Sequence, residues 1–256
     1  MFKSKISFVI LVVLVTINVG NSEVLFLHHF NNTTDMDIYQ RLKADYAKGQ
    51  MNPANIIQLS GFPDTQNSLY KFGQAGVKVQ NGYSEEVLLS YYSKNNIDFE
   101  KGSFETWINL ASTSRWSRLI DVWIGDERRL VILNPDDDKM RFSITNDGDV
   151  VTAVESPVSS ILTNQWYHVA VDWKCDSSNV NENFMRLWIN GVLQGEQSGL
   201  GQSDTAAGDN DLIGIYSFTD ASASCLYGCG DELRITNNLI SYLYTLDVNG
   251  NLYKLF

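Results

Sequence analysis

The segment NQWYHVAVDWK, residues 164–174, decides the fold class of this chain. Every second residue in it is apolar, and most are β-branched or aromatic, as is typical of a strand with one buried face. The apolar members are Tyr167, Val169, Val171 and Trp173. After a polar run, the same alternation returns at Met185, Leu187 and Ile189. Asn190–Gly191 then fits a tight turn, so the segment predicts two antiparallel strands followed by a turn.

The same rhythm extends through the middle of the chain. Short alternating or β-rich segments follow one another from residue 68 to residue 156, separated by turn signals such as Asn81–Gly82 and Asn146–Gly148. Regular spacing of this kind is typical of a sandwich or jelly roll. Helical periodicity does not extend beyond about a dozen residues anywhere. Because nothing resembles a linker or a repeat, residues 23–256 are predicted to form a single domain.

The composition limits the classes of function. The chain has 256 residues, with 19 Lys and Arg against 30 Asp and Glu, a formal net charge of −11. Nucleic acids and anionic membranes require a basic surface that neutralises phosphates, so the sequence predicts no nucleic-acid partner. A chain of this length can bury roughly 70 to 75% of its extended surface and needs no disulfide framework for stability.

The first 22 residues differ from the rest. Lys3 and Lys5 precede an apolar run, and Gly20 and Ser22 occupy the minus-three and minus-one positions of a cleavage site. The run is shorter than the roughly 20 apolar residues that a membrane-spanning helix needs. We therefore expect residues 1–22 to be a signal peptide, with an uncleaved anchor as the alternative. After cleavage the protein would have no membrane span and would be secreted or held at the cell surface.

Four segments together resemble one known family. WYHVAVDW at residues 166–173 and RLWINGVLQGE at residues 186–196 resemble the central hairpin of laminin G-like domains in the concanavalin A-like lectin superfamily. KGSFETWINL at residues 101–110 is similar to the strand before that hairpin, and GDELRITNNLIS at residues 230–241 is similar to the closing strand. The resemblance implies an all-β fold, a two-sheet antiparallel jelly-roll sandwich of the concanavalin A-like type.

Two regions leave alternatives open. Residues 35–48 have the pattern of a short helix, whereas the resemblance implies a strand and turn over residues 43–49. Residues 242–256 extend past the usual end of the family. They predict an additional C-terminal hairpin about Asn249–Gly250, which could add an edge strand, cover a sheet face or pair with another subunit.

The cysteines fit an exported protein. Cys225 and Cys229 are close enough for a small local disulfide, with metal binding as the weaker alternative. Cys175 has no obvious partner and is expected to be a buried thiol. Asn31 and Asn32 both satisfy the N-x-[ST] glycosylation pattern, although an ordinary turn is the favoured interpretation of this segment.

Catalytic patterns are missing from the sequence. Glycoside hydrolases of this fold place three acidic residues at alternate positions of one strand, and no such triple occurs. No G-x-S-x-G elbow is present, and His168 is best interpreted as a sheet-face residue beside Trp166. We therefore predict that the protein is not an enzyme.

Calcium is the one cofactor that the resemblance implies. Many relatives use an acidic residue just after the first strand and the Asp that opens the final strand, which correspond to Asn31 and Asp231 here. Asn31 replaces the expected carboxylate and removes one formal charge from the site. Asp231 could instead hydrogen-bond to backbone as a turn or strand-capping residue. Asp247–Asn251 lacks the acid that closes a calcium loop and is interpreted as a hairpin turn.

Three functions of different classes remain. The first is binding of a glycan or an extracellular protein, in which aromatic rings provide platforms for sugars. The candidate ligand-binding residues lie in or beside turn-rich segments: Trp116, Trp123, Tyr216 and Tyr227. The second is a structural or adhesive surface protein that self-associates, for example through its C-terminal hairpin. The third, an enzyme of the same fold, lacks a catalytic constellation.

Overall fold

The structure is a computed structural model that describes most of the chain after residue 22. The described residues are 23–32, 37–58, 65, 69–79, 87–113, 116–125, 127–135, 138–145, 151–203, 206–216, 226–240, 243–246 and 252–255. The predicted signal peptide, residues 1–22, lies outside them. Within the described residues, no helix has the length and apolar character needed to cross a membrane.

Strands dominate the described residues. They are β1 Val24–His28, β2 Tyr46–Ala47, β3 Pro53–Gln58, β4 Val77–Val79, β5 Val87–Tyr92, β6 Lys101–Leu110, β7 Trp116–Ile124, β8 Glu127–Pro135, β9 Arg141–Thr145, β10 Val151–Glu155, β11 Trp166–Lys174, β12 Phe184–Ile189, β13 Val192–Ser198, β14 Leu212–Ile215, β15 Gly228–Thr236, β16 Leu243–Leu246 and β17 Leu252–Leu255. The helices are one-turn elements: α1 Ile38–Arg41 and a 3₁₀ turn at Val180–Glu182.

Sheet A contains the segment from which the fold class was predicted. Its order is β13-β12-β11-β6-β15-β1-β2, and β4 pairs with the first part of β15. β11 pairs antiparallel with β12 from Val169 opposite Ile189 to Lys174 opposite Phe184, which confirms the predicted hairpin. On its other side β11 pairs with β6 along its whole length.

Sheet B forms the second layer. Its order is β10-β9-β8-β7-β14-β5-β3, and every pair in it is antiparallel. Sheets A and B do not close into a barrel, and the described helices are single turns. The prediction of an all-β fold, a two-sheet antiparallel sandwich, is confirmed.

The hydrophobic core lies between sheets A and B. Alternate side chains of a strand point to opposite faces, so the apolar positions of each strand face inward together. Phe104, Val171 and Leu187 enter from sheet A, and Ile120 and Phe142 enter from sheet B, all fully buried in one cluster. The two sheets therefore stabilise each other through a shared core.

Residues 37–49 combine the two structures that the sequence left open. Asp37 caps α1 by accepting a hydrogen bond from the N–H of Tyr39 at 2.9 Å. After one turn the chain extends into β2, in which Tyr46 and Ala47 pair with β1. The helix is shorter than its pattern suggested, because the chain must leave it to pair with β1.

β16 and β17 form a separate two-stranded antiparallel sheet, named sheet C. Within the described part of the chain, no ladder joins sheet C to sheet A or sheet B. The turn between the two strands, residues 247–251, lies outside the described residues. Before this hairpin, Ile240 is fixed to sheet A, because its N–H donates to Oδ2 of the buried Asp172 at 2.9 Å.

Candidate functional site

The outward-facing side of sheet A carries aromatic and charged side chains in register. Strand pairing across β12, β11, β6 and β15 places Trp188, Glu105 and Arg234 in one row, with the small Ala170 between Trp188 and Glu105. The neighbouring row contains His168, Trp107 and Asp231. Residues opposite each other on paired strands share one face of a sheet, so these two rows form a continuous surface.

Glu105 connects the two rows through its carboxylate. Its Oε1 accepts a hydrogen bond from Nε of Arg234 at 2.7 Å, and its Oε2 lies 3.1 Å from Nε2 of His168. The ring centroids of His168 and Trp107 are 5.2 Å apart. Because both carboxylate oxygens are engaged, the guanidinium and imidazole groups are held in one arrangement, with the imidazole beside the Trp107 indole.

Residues 69–76, named the aromatic loop, stand over this face. Leu69, Tyr70 and Phe72 are 58%, 52% and 48% exposed. Phe72 packs edge-on against Trp107, with ring centroids 5.6 Å apart, and Nζ of Lys71 lies 4.6 Å from the centroid of the same indole ring. The loop thus presents three apolar side chains and one cation to solvent, above an aromatic floor.

Side chains from β15 and from the segment after β1 hold the aromatic loop in place. Oδ2 of Asp231 accepts the N–H groups of Lys71 and Phe72 at 2.7 and 2.9 Å. Oδ1 of Asn31 accepts the N–H groups of Gln74 and Ala75 at 2.9 and 3.2 Å. Without these side chains the four N–H groups would have to hydrogen-bond to water. The two side chains therefore replace the backbone acceptors that a neighbouring strand would provide.

Burial raises the pKa of the Asp231 carboxyl group above its usual range, while hydrogen bonds from Phe72, Lys71 and Glu232 act in the opposite direction. Cys229, two residues earlier on β15, also contacts the loop, because the backbone of Leu69 hydrogen-bonds to its sulfur. Burial raises the pKa of the Cys229 thiol. The thiol therefore packs in a buried position under the loop.

Two glycines allow the loop to close. Gly73 has φ +68°, and a Cβ atom there would lie 2.2 Å from Oδ1 of Asn31. A Cβ on Gly76 would lie 2.7 Å from the carbonyl oxygens of Leu69 and Gly230. Only glycine combines the left-handed backbone at residue 73 with such a close approach to Asn31.

The predicted calcium ligands Asn31 and Asp231 do not have the geometry that calcium requires. Calcium is bound by six to eight oxygens, whereas these side-chain oxygens face N–H groups of the aromatic loop. Among the residues described, no group of three or more His, Cys, Asp or Glu side chains could hold a metal ion. The side-chain oxygens of Asn31 and Asp231 therefore fit the anchoring of the aromatic loop and do not fit calcium. For Asp231 this agrees with the alternative of a hydrogen bond to backbone.

The four aromatic residues predicted to bind ligand lie in or beside β7, β14 and β15, and none of them belongs to the aromatic loop. Tyr216 is fully buried, with its hydroxyl 2.5 Å from Oγ1 of Thr106, so its ring offers no surface to a ligand and that prediction is wrong. The physical reason is Gly230, where a Cβ would lie 2.2 Å from the Tyr216 ring, so the tyrosine fills the space that glycine leaves.

The other three candidates have different positions. Trp123 is half-buried on sheet B, and its Nε1 donates to Oδ2 of Asp121 at 3.2 Å. Tyr227 is half-buried at the far end of β7, where its N–H donates to Oγ of Ser117 at 3.4 Å. Trp116 begins β7, and its side chain lies outside the described part of the chain.

Cys175 and Cys229 are buried free thiols in the structure. Cys225 lies outside the described residues, so its disulfide with Cys229 stays a prediction. The sequon residues that follow Asn31 and Asn32 also lie partly outside them, although Oδ1 of Asn31 faces inward to the aromatic loop. His168 lies on the sheet face, as its position in β11 suggested.

The sequence pattern did not identify the aromatic loop as a site. Residues 68–80 predict a strand, because apolar and aromatic residues recur through them. Only Val77–Val79 form a strand there. A cluster of Leu, Tyr, Lys and Phe just before two closely spaced glycines was the available sign of an exposed turn.

Comparisons with known proteins agree with this architecture. The family model Laminin_G_3, described as the concanavalin A-like lectin/glucanases superfamily, matches residues 81–241. A search of curated proteins gives no significant match. Among solved structures, the receptor binding domain of botulinum neurotoxin C/D mosaic serotype is similar, with 15% identity, a TM-score of 0.55, and coverage of 85% of this chain and 48% of that one.

Two further solved structures are similar. The binding domain of botulinum neurotoxin serotype D has 14% identity, a TM-score of 0.53, and coverage of 85% of this chain and 49% of that one. Domain 4 of AbnA, a GH43 extracellular arabinanase from Geobacillus stearothermophilus solved with arabinotriose, has 15% identity, a TM-score of 0.49, and coverage of 86% and 95%. The chain spans about half the length of the botulinum structures, and similarity at this identity concerns the fold alone.

The matched residues cover more than half of the chain and contain the strands β5 to β15, which build most of both sheets. The segments that first suggested the family, from Lys101–Leu110 to the closing strand, all lie within this match. The chain therefore belongs to the concanavalin A-like lectin/glucanase superfamily, in its Laminin_G_3 family.

Proposed function

We propose that this protein is an extracellular binding module that takes a carbohydrate ligand at the aromatic loop and the adjoining face of sheet A, together named the outer-face site. The site comprises residues 69–76 with Trp107, Glu105, His168 and Arg234. Export is supported by the signal-like pattern of residues 1–22. The proposal depends most on one observation, the exposed rings of Tyr70 and Phe72 on an anchored loop.

Chemical complementarity supports a sugar at this site. Sugar rings present C–H faces that pack on aromatic rings, and hydroxyl groups that need hydrogen-bonding partners. Tyr70 and Phe72 supply the rings, while Lys71 and the Glu105–Arg234 pair supply donors and acceptors within the same surface. Four backbone hydrogen bonds hold the loop, so little ordering is needed when ligand binds.

The proposed role is binding and not catalysis. Hydrolysis of a glycosidic bond uses two carboxyl groups, one of them free to exchange a proton with the substrate. In the outer-face site, the Glu105 carboxylate is paired with Arg234 and His168, and the Asp231 carboxylate accepts backbone N–H groups. Both carboxylates therefore have structural partners that compete with acid-base chemistry.

A glycan array with the mature chain, residues 23–256, tests this proposal. Phe72→Ala and Tyr70→Ala are each expected to weaken binding of the best glycan about tenfold, the effect of losing roughly 1.4 kcal/mol of stacking. Tyr39→Ala is the matched control, because Tyr39 is 45% exposed but lies on α1. Unfolding curves of all three variants check that they fold.

Two results would contradict the proposal. If the mature chain binds no glycan on the array, the ligand class is wrong. If Phe72→Ala and Tyr70→Ala bind the same glycan as tightly as the natural chain and Tyr39→Ala do, the ligand binds elsewhere. A soluble oligosaccharide of the best array hit, titrated by calorimetry, then gives the affinities for comparison.

A second candidate function, self-association, is favoured by sheet C. An isolated two-stranded hairpin is only marginally stable in water, and β16 and β17 are not paired with either large sheet in the described residues. A second copy would provide the missing partner. Sedimentation equilibrium of the mature chain and of a chain ending at residue 241 tests this. A dimer that becomes a monomer on truncation supports it, and equal monomeric masses exclude it.

A further inference from the structure

The aromatic loop carries the longest run of exposed large apolar side chains in the described part of the chain. Leu69, Tyr70 and Phe72 lie within four consecutive residues, and all of residues 69–74, named the loop tip, are exposed. The other exposed large apolar side chains of the described residues are dispersed, apart from the pair Val192–Leu193. The three side chains of the loop tip leave on the order of 300 Å² of apolar surface in solvent, and patches of this size are often functional.

The backbone of the loop needs little from solvent. The side chains of Asp231 and Asn31 accept hydrogen bonds from the N–H groups of residues 71, 72, 74 and 75. The backbone of Leu69 hydrogen-bonds to the sulfur of Cys229. A backbone N–H without a partner makes the transfer of a loop from water into an apolar phase costly. Because these groups already have partners inside the protein, the loop tip can enter such a phase with a small penalty.

The charge at the loop tip differs from that of the chain as a whole. Residues 69–76 include one charged side chain, Lys71, and no Asp or Glu, whereas the whole chain has a net charge of −11. The Nζ atom of Lys71 lies over the Trp107 ring, 4.6 Å from its centroid, beside the apolar side chains. A long cationic side chain in this position can keep its ammonium group in water while its methylene groups cover apolar surface.

These properties together fit the interface between water and lipid. Tyrosine is enriched there because its ring is apolar and its hydroxyl group is polar, and lysine extends toward the phosphate groups. The acidic charge of the remaining chain opposes an anionic membrane, whereas a zwitterionic membrane has no net charge to repel it. The loop is already anchored, so little conformational entropy is lost on contact.

We propose that the loop tip docks on the surface of a zwitterionic lipid bilayer. Leu69, Tyr70 and Phe72 enter the boundary between headgroups and acyl chains, and Lys71 stays at the level of the phosphates. The contact is peripheral and reversible. It does not rest on carbohydrate binding at the outer-face site, because a bilayer without sugars is sufficient. Tyr70 and Phe72 serve both surfaces, so a sugar and a bilayer exclude each other at the loop.

Cosedimentation of the mature chain with phosphatidylcholine vesicles tests the proposal. Binding is expected, and it should persist in about 1 M sodium chloride, because burial of apolar surface is not screened by salt. Tyr70→Ala and Phe72→Ala should each lower the partition coefficient about tenfold. Leu193→Ala, which removes an apolar side chain 41% exposed on β13, is the matched control and should leave it unchanged.

Phe72→Leu separates this proposal from carbohydrate binding. Leucine keeps most of the apolar surface but has no ring, so vesicle binding should stay within about threefold of the natural chain, while stacking on a sugar is lost. The Phe72 ring also packs on Trp107, so unfolding curves accompany both Phe72 variants. If Phe72→Ala does not fold, Tyr70→Ala decides the outcome.

Three results would overturn the inference. The first is that the mature chain does not bind phosphatidylcholine vesicles. The second is binding that requires added phosphatidylserine and disappears at high salt, which is electrostatic adsorption and not insertion of the loop tip. The third is a dimer in lipid-free sedimentation equilibrium that Tyr70→Ala converts to a monomer, because the rings would then be buried against a second copy.

Discussion

At the scale of single residues, Asn31 and Gly73 decide the shape of the aromatic loop together. The Asn31 side chain accepts two backbone N–H groups of the loop, and Gly73 provides the left-handed turn that brings those groups to it. Neither residue would be effective without the other, because a side chain at residue 73 would occupy the position of the Asn31 amide. Asn31 thus anchors residues 74 and 75 of the loop, and Asp231 anchors residues 71 and 72.

Gly73→Ala is therefore expected to destabilise the protein by more than backbone strain alone, which costs about 1–3 kcal/mol. Gly199→Ala is the matched control, because Gly199 has φ +83° but no atom lies within 4 Å of its Cβ position. Urea unfolding should show a larger loss of stability for Gly73→Ala than for Gly199→Ala. Equal losses would mean that the contact with Asn31 has no energetic effect.

His28 is a buried neutral histidine in the same part of the fold. Its Nδ1 accepts the N–H of Phe30 at 3.0 Å, which leaves Nε2 to donate to the carbonyl oxygen of Leu42 at 3.0 Å. The ring stacks on Phe30 with centroids 3.8 Å apart. Burial lowers the pKa of His28 to about 4, although Asp45 acts in the opposite direction.

This pKa predicts a loss of stability in acid. Above pH 6.5 His28 is neutral in both the folded and unfolded states. Between pH 6.5 and about 4 only the unfolded state gains the proton, so the free energy of unfolding should fall by about 3 kcal/mol, at roughly 1.4 kcal/mol per pH unit. His28→Gln should remove this component of the slope. His29→Gln, at a half-exposed position, should keep it, and a slope that His28→Gln leaves intact would contradict the assignment.

At the scale of elements, the aromatic loop differs from the strands in how its backbone is satisfied. The strands pair along ladders, whereas the loop depends on hydrogen bonds to side chains of residues far away in sequence. Asp231 accepts hydrogen bonds from N–H groups that are 160 and 159 residues away in sequence. Asn31 accepts from N–H groups that are 43 and 44 residues away. The loop is thus an element that only the complete fold can form.

Removal of the Asp231 carboxylate should release the loop without unfolding the sandwich. In Asp231→Ala, amide hydrogen exchange at Lys71 and Phe72 should accelerate, while exchange in β11 and β12 stays slow. Asp209→Ala is the control, because this largely exposed carboxylate contacts Lys94 and not the loop. Unchanged exchange at Lys71 and Phe72 would show that Asp231 is not the anchor.

The same carboxylate provides a test of calcium. Because its oxygens face N–H groups, neither millimolar calcium nor a chelator is expected to change the thermal midpoint of the natural chain. A midpoint that rises with calcium in the natural chain but not in Asp231→Ala would establish the cofactor that the family resemblance implied. Magnesium at equal ionic strength controls for screening.

The strands were more predictable from the sequence than the aromatic loop was. The hairpin of β11 and β12 follows from a two-residue period and Asn190–Gly191, and its observed register keeps Val169, Val171 and Trp173 inward. Such periodicity is a local property. The anchoring of residues 69–76 depends on contacts across the fold, so no short window of sequence contains it.

At the scale of the whole molecule, one core is shared by sheets A and B. Leu187 of β12 and Leu130 of β8 belong to different sheets but to the same buried cluster. Leu187→Ala and Leu130→Ala are each expected to cost about 2–5 kcal/mol and to shift a single cooperative unfolding transition. Leu193→Ala, at a position 41% exposed, should change stability by less than about 0.5 kcal/mol.

Coincident transitions by far-ultraviolet circular dichroism and tryptophan fluorescence would support one folding unit. Two separated transitions, one sensitive to Leu187→Ala and the other to Leu130→Ala, would contradict the prediction that residues 23–256 form a single domain. Both variants replace a buried leucine, so the comparison differs only in the sheet that is weakened.

The fold class was predictable at this scale, but the location of the functional aromatic residues was not. Turn-rich surroundings suggested Tyr216 as a ligand platform, whereas Gly230 on β15 leaves the space that its ring fills. In the sequence, Trp107 cannot be distinguished from the apolar core residues of its strand, yet it faces outward under Phe72. Whether an aromatic residue is a platform or a core residue depends on the partner strand and its register, which sequence periodicity does not specify.

The outer surfaces of sheets A and B point away from each other, so the outer-face site of one molecule faces in a single direction. A molecule with one such site would hold one polymer at a time, and bridging of separate polymers would need a second copy. Self-association through sheet C would supply that copy and would turn two weak contacts into durable adhesion through avidity.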